Sequence, residues 1–173
     1  SCDAMTALPP AALSLAGFTL AHAAWSLAEA DDGDLLCPLA VIEQHDRSRR
    51  LTRFEADTQE EAIIAGKTAM REASGDVAAG ACAREGAWRR MGSEQGGDVL
   101  AIDFWASGMP ATATLMQPFY RSVNGSRFRI GAVPTLVVGD QLLAAAVANP
   151  SIEAIMQGVQ SHAMVATLWP GWL

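Results

Sequence analysis

The order of hydrophobic patterns predicts an α+β fold: a mainly antiparallel sheet of about six strands with helices packed on it. Three observations carry this. The patterns run helix, two strands, helix, four or five strands, helix. Three connections, QHDRSR, Asn124-Gly125 and Gly139-Asp140, are short and rich in turn residues, as hairpins are. Half of the 173 residues are apolar, enough to build a sizeable core in a single domain.

The first helix is expected from about Pro10 to Ala30. Leu13, Phe18, Leu20, Trp25 and Leu27 supply its apolar surface, while Thr19, His22, Ser26 and Glu29 fall three and four apart as one polar, solvated stripe. Ala21-His22-Ala23 has the small-x-small look of a signal cleavage site. No positive residue precedes the run, however, and a secretory hydrophobic region needs no polar stripe, so the segment reads as an amphipathic helix and not a processed signal or a membrane span. The acidic loop AEADDGD ends it.

Leu35–Glu43 then reads as a buried strand that Pro38 pushes toward an edge or bulge. Arg50–Ala56 returns as its hairpin partner. Thr58-Gln59-Glu60-Glu61 is a capping box opening a helix through Ala73, in which Gly66 implies close approach to the sheet. Strands follow at Ala79–Arg90, Val99–Ala106 and Ala111–Val123. In the second, Leu100, Ile102 and Phe104 alternate with Ala101, Asp103 and Trp105. Asn124-Gly125 predicts a type I′ turn into SRFRIGAVPTLVV, and Gly139-Asp140 a second tight turn into QLLAAAV. Asn149-Pro150-Ser151 is expected to cap a last helix, Ser151 to Leu168. The end, TLWPGWL, reads as an aromatic tail turned by Pro170-Gly171.

Charge is unevenly placed. Residues 1–46 hold seven acids and no Lys or Arg, whereas the remainder is balanced, giving a net charge of −7. Nothing resembles the basic footprint that phosphate backbones select, so nucleic acid is not an expected partner. Cys37 and Cys82 lie in apolar runs without CxxC spacing and read as buried free thiols of a reducing, cytoplasmic compartment. Cys2 falls in Ser1–Ala4, ahead of Met5, and is set aside as part of an added leader.

Familiar catalytic motifs are missing from the sequence. Gly66-Lys67-Thr68 lies mid-helix, and Glu61 stands where a phosphate loop needs its first glycine. AIDFWASGMP with GAVPTLVVGDQLL is similar in wording to thioredoxin-like proteins, where an FWA strand end precedes a cysteine motif and Val-Pro-Thr precedes a hairpin. Here Ser107-Gly108-Met109-Pro110 replaces both cysteines, so no thiol–disulfide chemistry is expected. The 30 residues from Phe104 to Pro134 leave too little chain for that fold's crossover helix. The match is shared buried-strand vocabulary.

His22, His45 and His162 have no spacing that suggests a metal site. His22 and Glu29, two turns apart on one face, are weak candidates to line a pocket between the first helix and the sheet, together with Tyr120 or Arg121. Arg121, Arg127 and Arg129 flank the Asn-Gly turn as a candidate anion site, or simply as charges that keep an edge soluble. Trp169 and Trp172 are candidate interface residues, because large aromatics near a terminus need a surface to cover; that surface is either a partner's or the open end of this chain's own sheet. The expectation is therefore a non-catalytic binding or interaction module, self-associating as a homodimer or docking a protein partner, with no cofactor, metal or membrane. The alternative is a small enzyme or ligand carrier using the pocket beside the first helix.

Overall fold

The computed structural model describes residues 8–31, 34–71, 77–89, 96–122, 125–131 and 133–173. Among the described residues, four helices pack on one antiparallel sheet of eight strands, two more than expected. Helix α1 spans Pro10–Glu29, strands β1 and β2 span Leu39–Gln44 and Arg49–Arg53, and α2 spans Gln59–Arg71. Strands β3 (Val77–Arg89), β4 (Gly96–Ala106) and β5 (Ala113–Tyr120) form the centre. The short strands β6 (Arg129–Ile130), β7 (Thr135–Val138) and β8 (Gln141–Leu142) complete the sheet, followed by α3 (Ala145–Gln160) and α4 (Ala163–Trp172). The order across the sheet is β2-β1-β3-β4-β5-β7-β8, with β6 also paired to β5.

Register sorts the side chains into two faces. Ala81 opposes Phe104 and Ala83 opposes Ile102, while across the next ladder Ile102 opposes Leu115. These residues form the inner face and belong to one buried cluster with Leu15, Leu20, Ile155 and Val159 of the helices. Cys82, Arg84 and Asp103 alternate with them and therefore point outward. Helix α1 has the length and apolarity of a membrane span, yet most of its surface is buried inside the protein, against the sheet and α3. Its crossing with α3 is close because Gly17 and Gly158 meet there: a Cβ on Gly17 would lie 1.9 Å from the Ile155 carbonyl oxygen. Helix α2 covers β1 and β3 on the outer face, where a Cβ on Gly66 would stand 2.8 Å from Cys82 Sγ.

Several local expectations change. SRFRIGAVPTLVV is two strands, because β5 exchanges partners: Met116 pairs with Thr135 of β7, whereas Phe119 pairs with Ile130 of β6. Pro118 sits between these two pairings, where a missing ladder donor is tolerated. Strand β5 ends at Tyr120 and β6 begins at Arg129, too far apart for a two-residue hairpin. Asn124 itself lies outside the described residues, and Gly125 has φ +83°. Gly139, at φ +60°, makes the expected tight turn between β7 and β8.

The last helix begins at Ala145, earlier than the Asn-Pro signal, and carries Pro150 inside it. It stops at Ser161, and the chain restarts as α4 with His162 as N-cap. The predicted Pro170-Gly171 corner is instead helical. Trp169 and Trp172 are three apart, and only a helix brings both onto one face. They are 7% and 9% exposed, and Trp172 meets Phe128 edge-to-face at 5.2 Å.

Candidate functional site

Of the polar residues of α1, Glu29 is exposed, while His22 and Ser26 are half-buried and Thr19 is withdrawn from solvent. Thr19 is fully buried and donates its hydroxyl to the Leu15 carbonyl at 2.8 Å. Ser26 donates to the His22 carbonyl, and His22 faces the α3–α4 junction, its Nδ1 3.2 Å from His162 Nε2. Phe18 and Trp25 flank both rings.

Geometry assigns the protons in this pair. The Val165 amide donates to His162 Nδ1 at 3.3 Å, as an N-cap acceptor requires. A neutral His162 then carries its proton on Nε2 and donates to His22 Nδ1, so His22 carries its own on Nε2. That last N–H is shielded from solvent and has no partner among the described residues. Burial lowers the pKa of both imidazoles, and at His22 the His162 ring and then the Arg53 guanidinium add to the shift. A metal bridging the pair would need lone pairs on both facing nitrogens, which the N-cap bond denies to His162. Among the described residues, no three His, Cys, Asp or Glu side chains are grouped to hold a metal ion.

Beyond Trp25, a cleft of about 380 Å³ opens between the C-terminal half of α1 and the end of β2. It exists because α1 stops at Glu29 and Ala30 turns extended, while the chain does not join the sheet until Leu39. The intervening backbone is held by side chains instead of a ladder. The Leu36 amide donates to Glu85 Oε1 at 2.5 Å, and Gln59 Nε2 donates to the Leu36 carbonyl at 3.0 Å. The Cys37 thiol points to the Phe54 carbonyl at 3.6 Å. Trp25, Leu27, Leu35 and Leu36 give the cleft an apolar lining, and Glu29, Asp34, Arg53 and Glu55 bring charge to it.

Of the sequence candidates, Glu29 lines the cleft and His22 stands behind it, next to Trp25. Arg121 lies nearby but all three of its guanidinium nitrogens are used. Nε donates to Asp98 at 3.2 Å, one terminal nitrogen to the Asp34 carbonyl at 2.9 Å, and the other to Glu85. It clamps the acidic loop to the sheet, and the hollow it lines beside Asp34 holds only about 10 Å³. Tyr120 is on the opposite face of the sheet, since Phe119 before it points into the core. Trp169 and Trp172 are in the core and are not among the residues that line the cleft.

Sequence reasoning missed Trp25 and Arg53 as cleft residues, and it missed a buried charge cluster on the outer face. There Asp103 accepts from Arg84 at 2.9 Å and from the Thr114 hydroxyl at 2.6 Å, with Lys67 3.9 Å away. The signal was present, because Asp103 stands between Ile102 and Phe104 in an apolar strand. Burial, and the Asp103 carboxylate next to it, push the Cys82 thiol up to about 11. Compared with known proteins, the chain matches no family model, no curated protein and no solved structure.

Proposed function

We propose that the protein is a non-catalytic binding module that takes a small molecule in the cleft between α1 and β2. The observation that carries this is the cleft itself. Its volume of about 380 Å³ falls in the range of small-molecule sites, and an indole and several leucines line it beside a few charged groups. A non-catalytic role fits its chemistry. The nearest imidazole, His22, has one nitrogen engaged by His162 and the other enclosed, and the Cys37 thiol points at backbone carbonyls. Ligand-observed NMR against a fragment set tests the reading. Hits that vanish in Ser26→Trp, which fills the cleft from α1, support it. Hits unaffected by that substitution, or none at all, sink it.

A second reading, self-association, is favoured by the outer face of the central strands. Trp88, 42% exposed, lies on Gly97, and Tyr120, 59% exposed, lies on Gly131, so two exposed aromatic rings stand at the same end of the outer face. Two large aromatic rings offer a patch of at most roughly 400 Å². A stable dimer uses about 800 Å² per partner, so a second copy docked here forms a weak, concentration-dependent dimer. Light scattering over a concentration series, with Trp88→Lys as the disrupting variant, decides it. Mass that never rises with concentration excludes this dimer.

A further inference from the structure

Resting on the cleft reading above, we infer that the occupant is an organic cation: a protonated amine carried on an apolar body. Three acidic residues, Glu29, Asp34 and Glu55, line the cleft with one basic residue, Arg53, and all four are exposed at its rim. Among the described residues none of these carboxylates forms a salt bridge, so their charge is not spent inside the protein. This contrasts with the neighbouring Glu85 and Asp98, which are both ion-paired with Arg121. Asp31, whose carbonyl accepts from the Asp34 amide, adds one more acid beside the cleft lining. Trp25 adds an indole to the wall, the aromatic ring best suited to a cation. The leucines lining the cleft bury the remainder of such a molecule. A carboxylate ligand has only Arg53 to meet it and must approach three like charges.

Isothermal titration of the 173-residue chain with phenylbutylamine, phenylbutanoate and phenylbutanol separates charge from apolar fit. The expected result is that the amine binds at least about tenfold more tightly than the alcohol, and the carboxylate least of the three. The preference should shrink as salt rises and should disappear in the double variant Glu29→Gln, Glu55→Gln, with alcohol binding unchanged. Nα-acetyl-lysine amide, the amine as a protein would present it, is expected to bind more weakly than phenylbutylamine; tighter binding would overturn the small-molecule source. If phenylbutanoate binds best and Arg53→Gln abolishes it, the cation is wrong while the cleft reading stands. If all three probes fail to bind, or Ser26→Trp leaves their binding intact, the cleft reading falls and the cation with it.

Discussion

Two imidazoles 140 residues apart share one hydrogen bond, and its direction follows from a helix cap. This is a residue-scale device with a pH signature. Both rings are held below their ordinary value of 6.5, chiefly by burial. The unfolded chain therefore binds more protons than the folded one below about pH 6.5, and stability, intact above that, is lost as pH falls. The melting temperature should drop between about pH 7 and about pH 5. His162→Asn, which keeps an N-cap acceptor, should flatten that slope. An unchanged slope in this variant and in His22→Asn would show that the pair does not titrate on unfolding. His22 was legible as a residue worth naming, but its partner was not, since nothing in the spacing of two distant histidines announces contact.

At the scale of elements, the crossing of α1 and α3 depends on glycine at Gly17 and Gly158, not on helix propensity. Alanine at Gly17 gains roughly 1 kcal/mol of helix propensity. It also forces a Cβ within 1.9 Å of the Ile155 carbonyl oxygen, and overpacking of that kind costs about 3 kcal/mol. Gly17→Ala should therefore lower the melting temperature by about 5 °C. Gly171→Ala is the control: it is helical with nothing within 4 Å of the added methyl, and should be neutral or slightly stabilising. Equal behaviour of the two variants in thermal melts would refute the crossing argument. The capping box was legible, and Thr58 does accept from the Glu61 amide at 3.2 Å. The prolines were misleading. Pro150 and Pro170 both lie inside helices whose faces are buried in the core. Tertiary packing there outweighs one lost hydrogen bond each.

For the whole molecule, the C-terminal helix closes the inner layer. Phe119 and Phe128 meet as a tilted pair at 5.9 Å, Trp172 meets Phe128, and Trp169 packs on Trp172 at 6.0 Å. Ending the chain at Ala166 removes both indoles, at about 3 kcal/mol or more each. That is a large share of a typical domain's stability. The expected outcome is a collapse in thermal stability without a change in the mass measured by light scattering. A folded particle of half the original mass would instead return the tryptophans to an intermolecular interface.

The sequence by itself determined the α+β class, the antiparallel pairing, the placement of nearly every strand and the inner face carrying Leu100, Ile102 and Phe104. These follow from period and turn chemistry, which are local. It also marked Glu29 and His22 as residues to watch. Only the tertiary structure decided that Arg121 is consumed by Glu85 and Asp98, that Tyr120 points away from the cleft and that the terminal tryptophans are core. It alone joined Trp25 and Arg53 across the cleft. The physical reason is common to all four. Alternation tells which side of an element a residue occupies, but what meets that side is set by elements far away in the chain, and charge and indole alike take their role from that neighbour.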